Sequence, residues 1–230
     1  MTTFVEYLRR FNRKERFYLV GWALGRHNFQ LGEDFRESLG GKVGLEIPTE
    51  AFVAMDYHLN WIYAAAYLSS PSTQPADVHE NREVVEPDDK LTHRIIQGNQ
   101  EDIDLVVAFE DGPTSHIVLV EAKGVTGWNK KQLNSKAARL KAIFGALGNY
   151  FPHMQPHFVI VSPLESKHIA PENWPDWMKG DAVKWLPMDV PSDLLIVKRV
   201  DASGLQWKVV PEREYASSGT NTSGNPEVEG

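Results

Sequence analysis

The stretch "DIDLVVAFEDGPTSHIVLVEAKG" at residues 102–124 constrains the chain more than any other. Two apolar runs rich in β-branched residues flank Asp111-Gly112-Pro113, a turn sequence, so together they read as an antiparallel hairpin. With the turn centred there, Phe109 faces His116, and the same register puts Asp104 opposite Glu121. Side chains two apart on a strand point to the same face, so Glu121 and Lys123 share one. Two carboxylates and an ammonium therefore converge at the end of a hairpin whose middle is bound for the core. Like charges directly opposed destabilise a sheet, and aliphatic surroundings make the conflict worse. A divalent cation resolves it. Hard oxygen ligands without histidine or thiolate suit Mg²⁺ or Mn²⁺, with Asp104, Glu121 and the carbonyl of Ala122 as ligands and Lys123 facing the same substrate.

Composition narrows the remaining choices. The chain has no cysteine, which removes disulfides, cysteine nucleophiles and thiolate metal sites. With 230 residues and 42% hydrophobic content it can bury one good core. The N-terminal "MTTFVEYLRRFNRKERF" is charged and amphipathic, unlike a signal peptide, and no run is long and apolar enough to span a membrane. A soluble, cytoplasmic protein without a membrane partner is expected. The net charge of −7 argues against a polyanionic partner, but the distribution argues for one. From Ala122 to Leu164 there is no acid, and Lys123, Lys130, Lys131, Lys136, Arg139 and Lys141 contribute six positive charges, leaving −13 on the rest. This basic segment begins directly after the carboxylates, and with Trp128 available to contact a base it makes Lys130, Lys131, Lys136 and Arg139 candidate nucleic-acid contacts.

The rest of the chain supplies the setting. "TFVE" at Thr3 is a capping box and "NRKE" at Asn12 a weaker relative, so residues 3–24 read as one or two helices ended by Gly25. "LGEDFRESLGG" reads as a short helix closed by Gly40 and Gly41. From Thr49 the apolar positions 52, 55, 59, 62 and 66 predict a longer helix. Residues 69–92 carry three prolines and six acids and read as a long loop, with a short strand at "REVVE". "HRIIQ" and "HFVIVS" are further strands, with a helix over about 129–150 between the hairpin and "HFVIVS". "LLIVKRV" and "LQWKVV" form a terminal hairpin, and the polar, glycine-rich tail at 216–230 is too poor in apolar residues to pack.

Asp104, then sixteen residues, then Glu121-Ala122-Lys123 on successive strands resembles the PD-(D/E)XK nuclease superfamily. The resemblance covers about residues 49–162, and Ile103 stands where the motif's proline would be. It implies an α/β protein with a restriction-endonuclease-like core, a mixed central sheet flanked by helices. The chain then divides into an N-terminal helical extension (1–48), the core (49–162), C-terminal additions (163–215) and the tail, one nuclease-like domain spanning 1–215. It also implies a metal-dependent hydrolysis of phosphodiester bonds in nucleic acid, most simply DNA. Asp104 and Glu121 would hold Mg²⁺ or Mn²⁺, and Lys123 would assist electrostatically. Gln132, in the first turn of the following helix, matches a glutamine many relatives carry near the site. Relatives often add an acid from the helix before the sheet, for which Asp56 is the candidate and Glu37 the competitor. His58 beside Asp56 reads as a core or rim histidine. Cutting both strands of a duplex is compatible with a homodimer. The competing reading is a catalytically silent nucleic-acid-binding or interaction protein with the same fold.

Overall fold

A computed structural model describes residues 2–25, 29–85, 92–98, 101–124, 128–165, 169–191 and 193–211. The hairpin is its centre. β4 (Asp102–Asp111) and β5 (Thr114–Ala122) pair antiparallel with Phe109 opposite His116, the register expected from the turn, and the pairing runs to Leu105 opposite Val120. β1 (Phe52–His58) adds antiparallel to β4. On the other side β6 (Met154–Ser162) lies parallel to β5, and β7 (Trp185–Pro187) parallel to β6. The result is a five-stranded mixed sheet of order β1-β4-β5-β6-β7. Its parallel step is bridged by α5 (Lys130–Phe144), the crossover that parallel neighbours require.

Helices cover both faces. α1 (Phe4–Phe11), α4 (Leu59–Leu68) and α5 pack Phe4, Leu8, Ile62, Leu133 and Leu140 against Ile117, Leu119 and Phe158. α3 (Glu33–Val43) packs Leu39 and Val43 on the opposite face, against Val107, Val118, Val120 and Val159. Because β5 is buried on both sides, its apolar run is continuous rather than alternating. Each fully buried aliphatic side chain there contributes about 1.5–3 kcal/mol.

Three local expectations need correction. Residues 52–58 form a strand, and the helix begins only at Leu59. Their apolar spacing suits a helix, but pairing along the open edge of β4 satisfies their backbone and buries Phe52, Ala54 and Tyr57, so tertiary context overrides the local pattern. The first helix carries the expected Thr3/Glu6 capping box, whereas α2 (Glu15–Ala23) starts at Lys14 without a side-chain cap. Asn12 accepts the Lys14 N–H instead, at 3.2 Å. α3 runs through Gly40 and Gly41 and stops at Gly44, which takes φ 75°. Gly40 is needed for another reason: a Cβ there would lie 2.5 Å from the Leu45 carbonyl oxygen.

Smaller elements complete the chain. β2 (Glu83–Val85) and β3 (Thr92–Arg94) form a two-stranded sheet within the acidic loop region. α6 (Asp176–Lys179) and β7 carry no strong sequence signal. β8 (Leu195–Arg199) and β9 (Trp207–Pro211) form the expected terminal hairpin, with Leu195, Val197, Trp207 and Val209 exposed. The 216–230 tail lies outside the described residues. No helix among the described residues is long and apolar enough to cross a membrane.

Candidate active site

β4 starts and β5 ends at the same end of the sheet, so the acids at these termini meet there. One step beyond the Leu105–Val120 pair lie Asp104 and Glu121. The Ala122 N–H donates to Asp104 Oδ2 at 2.7 Å, which holds the Asp104 carboxylate against the Glu121-Ala122-Lys123 segment. On the other side of β4, Met55 pairs with Leu105 and Tyr57 with Ile103, so Asp56 falls opposite Asp104. Three acids thus line up across three neighbouring strands. Asp56 has φ 50°, the one non-glycine residue with positive φ among the described residues. Its neighbour Tyr57 joins the same core cluster as Ala54, and Ile103 the same cluster as Val106. Strict alternation on either strand forbids both, so the two strands switch faces together at Asp56 and Asp104. Asp56 therefore belongs to a kinked strand rather than to a helix, and its one ion pair among the described residues is with Arg16 Nη1 at 3.7 Å.

Glu121 lies on the face covered by α1, α4 and α5, 5% exposed. Its counter-charge is not Lys123. Lys136 reaches from α5 with Nζ 2.5 Å from Glu121 Oε1 and 2.6 Å from the Asp102 carbonyl oxygen. Burial pushes the Glu121 carboxyl up to about 7, and Asp104 adds to the rise. Lys136 pulls the other way without winning, because desolvation of a carboxylate in this wall is the larger effect. Lys123 follows the strand, half-buried, with its backbone N–H donating to the Val161 carbonyl at 2.8 Å. Its ammonium forms no ion pair among the described residues.

The neighbouring acids are committed elsewhere. Asp102 Oδ2 takes Lys14 Nζ at 2.7 Å, and its other oxygen takes His58 Nδ1. Glu101 faces Arg139 Nε at 3.9 Å, and burial raises its carboxyl. Asp104 alone of these acids has no cationic partner among the described residues. Asp104 Oδ1 accepts no hydrogen bond there either, while the Asp104 backbone N–H bonds to the Glu121 carboxylate and favours its charged form. A like-charged carboxylate pair beside the Ala122 main chain, with one Asp104 oxygen free among the described residues, fits a hard divalent cation. Among the described residues no three or more histidine or acidic side chains are gathered into a ready metal shell, so main-chain oxygen and water would have to complete one.

The basic helix divides in two. Lys130, Lys131 and Lys141 are exposed, as a nucleic-acid surface requires. Lys136 and Arg139 are not available for that role, being 4% and 7% exposed and occupied by Glu121 and by Glu101 and Asn60. The signal was present in the spacing. Lys136 falls with Leu133, Ala137 and Leu140 on the apolar stripe of α5, and a lysine on such a stripe needs a buried acid. Gln132 is exposed in the first turn, where its N–H donates to the N-cap Asn129 at 3.2 Å. Trp128 is half-buried against the main core. Glu37 lies on α3, which packs on the opposite face of the sheet from Glu121.

Histidines elsewhere in and beside the sheet are paired. His116 on β5 and His157 on β6 approach at 3.3 Å between Nδ1 and Nε2, both buried, with Phe109 stacked on His116. Burial first, then Lys184 and His116, lowers His157 to about 4. His153 meets Ser69 Oγ at 3.1 Å. These groups sit toward the start of β5, away from the acids at its end. Comparison of the chain with protein-family models, with curated proteins and with solved structures finds no match.

Proposed function

We propose that this chain is a divalent-metal-dependent nuclease with a restriction-endonuclease-like core, hydrolysing phosphodiester bonds of DNA. The observation that carries the reading is the meeting of Asp104 with Glu121-Ala122-Lys123 at one end of the sheet, with Asp104 uncompensated among the described residues. Asp104, Glu121 and the Ala122 carbonyl would hold Mg²⁺ or Mn²⁺, which when bound supplies electrophilic stabilisation of phosphodiester oxygens and a more acidic water. Asp104 is oriented by the Ala122 N–H, so its free oxygen is presented in a fixed direction. Lys123 brings an ammonium that no acid among the described residues neutralises, suited to charge developing on the scissile phosphate. Lys130 and Lys131 stand exposed in the first turn of α5 and can take flanking phosphates. Gln132 beside them is placed to touch substrate rather than to ligate metal. Asp56, opposite Asp104, is the available further acid.

One observation favours the silent nucleic-acid-binding reading: the Lys136 ammonium already rests on Glu121, as a permanent counter-ion would. The test is incubation with supercoiled plasmid, single-stranded DNA and RNA in Mg²⁺, Mn²⁺ or chelator, beside Glu121→Gln. Cleavage that needs both metal and Glu121 supports the nuclease. Binding without cleavage in every condition supports the silent fold, and neither binding nor cleavage contradicts both.

A further inference from the structure

A second feature of the molecule is built from residues that the acid site does not use. β1 is an edge strand of the sheet. Against its first residues, α1 and α2 leave a cavity of about 290 Å³, near the lower end of the range for small-molecule sites. Phe17, Phe29 and Phe52 form its aromatic walls, with the Phe17 and Phe29 ring centroids 4.8 Å apart. Asn12 lines the same space and is 5% exposed. Its Oδ1 accepts the Lys14 N–H, which fixes the orientation of the amide, because an atom facing a backbone N–H must be the oxygen. Tyr18, also in the wall, secures the residue by donating its hydroxyl to the Asn12 carbonyl at 2.9 Å. Asn12 Nδ2 is then left buried without a hydrogen-bond partner among the described residues. A donor stranded in an aromatic wall is costly unless a ligand accepts from it.

The remaining polar groups define that ligand. Arg9 lies over the Phe52 ring at 5.3 Å and makes no ion pair among the described residues, so it offers a cation beside the aromatic wall. Glu50 offers an acceptor from the same lining. A flat ring that carries both a carbonyl and an N–H, joined to an anionic group, answers all three. We propose that this cavity is a nucleotide-binding site, with a base against the aromatic wall of Phe17 and Phe29, a base carbonyl accepting from Asn12 Nδ2, and the phosphate at Arg9. Aromatic faces take bases of any kind, while Asn12 and Glu50 favour those with adjacent C=O and N–H groups, such as thymine. The nucleotide has two sources, a free nucleoside monophosphate or an unpaired position in a single strand. The site shares no residue with the Asp104 and Glu121 pair and stands or falls separately from the nuclease reading.

Calorimetric titration in chelator, where metal-dependent cleavage cannot contribute, tests the site with dTMP, thymidine and a short oligothymidylate. Wild type is expected to bind dTMP. Asn12→Asp keeps the acceptor for Lys14 and removes the donor, and should weaken dTMP at least about tenfold. Arg9→Gln, at an exposed position where the fold is not at risk, should weaken dTMP by about tenfold and leave thymidine unchanged. An oligothymidylate that binds no tighter than dTMP identifies the free nucleotide as ligand. Tighter oligonucleotide binding that falls by the same factor in Asn12→Asp identifies a strand position. The proposal is overturned if wild type binds none of the probes at millimolar concentration. It is equally overturned if dTMP binds Arg9→Gln and Asn12→Asp as well as it binds wild type.

Discussion

The two ends of β5 bury polar groups in opposite ways. Near its start, His116 and His157 share a neutral contact, so the sheet closes over them without importing charge. At its finish, Glu121 and the first residues of β4 are charged, and compensation comes from outside the sheet: Lys14 from the link between α1 and α2, and Lys136 from α5. The imported cations cover Asp102 and Glu121 and leave Asp104 out. A structural polar pair is complete within itself, whereas the acid end leaves one carboxylate, Asp104, without a cation among the described residues. That difference separates a packing solution from a candidate site.

The largest effect expected to break this comparison comes from removing the imported cation. Lys136→Met should cost about 3 kcal/mol in denaturant unfolding with chelator present, the low end for breaking a buried pair, because Glu121 can escape by taking a proton. Millimolar Mn²⁺ should recover much of the loss, since the ion then supplies the missing charge. A variant as stable as wild type in chelator would mean that the acid end is as self-sufficient as the histidine end.

The histidine end predicts a different pH signature of roughly the same size. The folded His157 gives up its proton at about 4, whereas the unfolded ring does so near the ordinary value of 6.5, so between these limits the unfolded chain binds more protons. The stability contributed by the neutral ring is fully present above 6.5 and is lost as pH falls through 4, by roughly 3 kcal/mol at 1.36 kcal/mol per pH unit. His157→Gln should flatten the stability profile between pH 4 and 6.5 in urea titrations. An unchanged slope would place the acid sensitivity elsewhere.

A smaller effect concerns the surface beside the acid end. Neutralising Lys130 and Lys131 together should lower the salt dependence of DNA binding by about one unit per lost phosphate contact. The fold should not respond, because both side chains are exposed. Unchanged affinity and slope would make this turn of α5 an ordinary solvated face.

How far the sequence could be read follows the same division. The hairpin register was legible because Asp111-Gly112-Pro113 fixes the turn and every pairing follows from it, so the approach of Asp104 to Glu121 could be derived residue by residue. The strand at 52–58 was not legible, because its spacing suits a helix and only the open edge of β4 decides otherwise. Asp56 was singled out as an acid on an expected helix before the sheet, but its place opposite Asp104 depends on that strand. Lys136 and Arg139 were read by charge, as part of a basic surface, when their position on the apolar stripe of α5 was the better guide. Lys14 on Asp102 joins residues 88 apart in sequence and leaves no local trace. Local turns and periodicities can be read in advance, whereas the pairing of buried charges is settled by which elements pack together.

The most direct measurement compares thermal melts of wild type and Asp104→Asn with chelator and with Mg²⁺ or Mn²⁺. The substitution keeps the shape and an oxygen for the Ala122 N–H while removing one of two opposed charges. In chelator the variant should melt at the wild-type temperature or above it. With millimolar metal the order should reverse, because only wild type gains binding free energy from a complete carboxylate pair. A variant clearly less stable than wild type in chelator, with wild type indifferent to either cation, would make Asp104 a structural anchor for β5 and contradict the metal site.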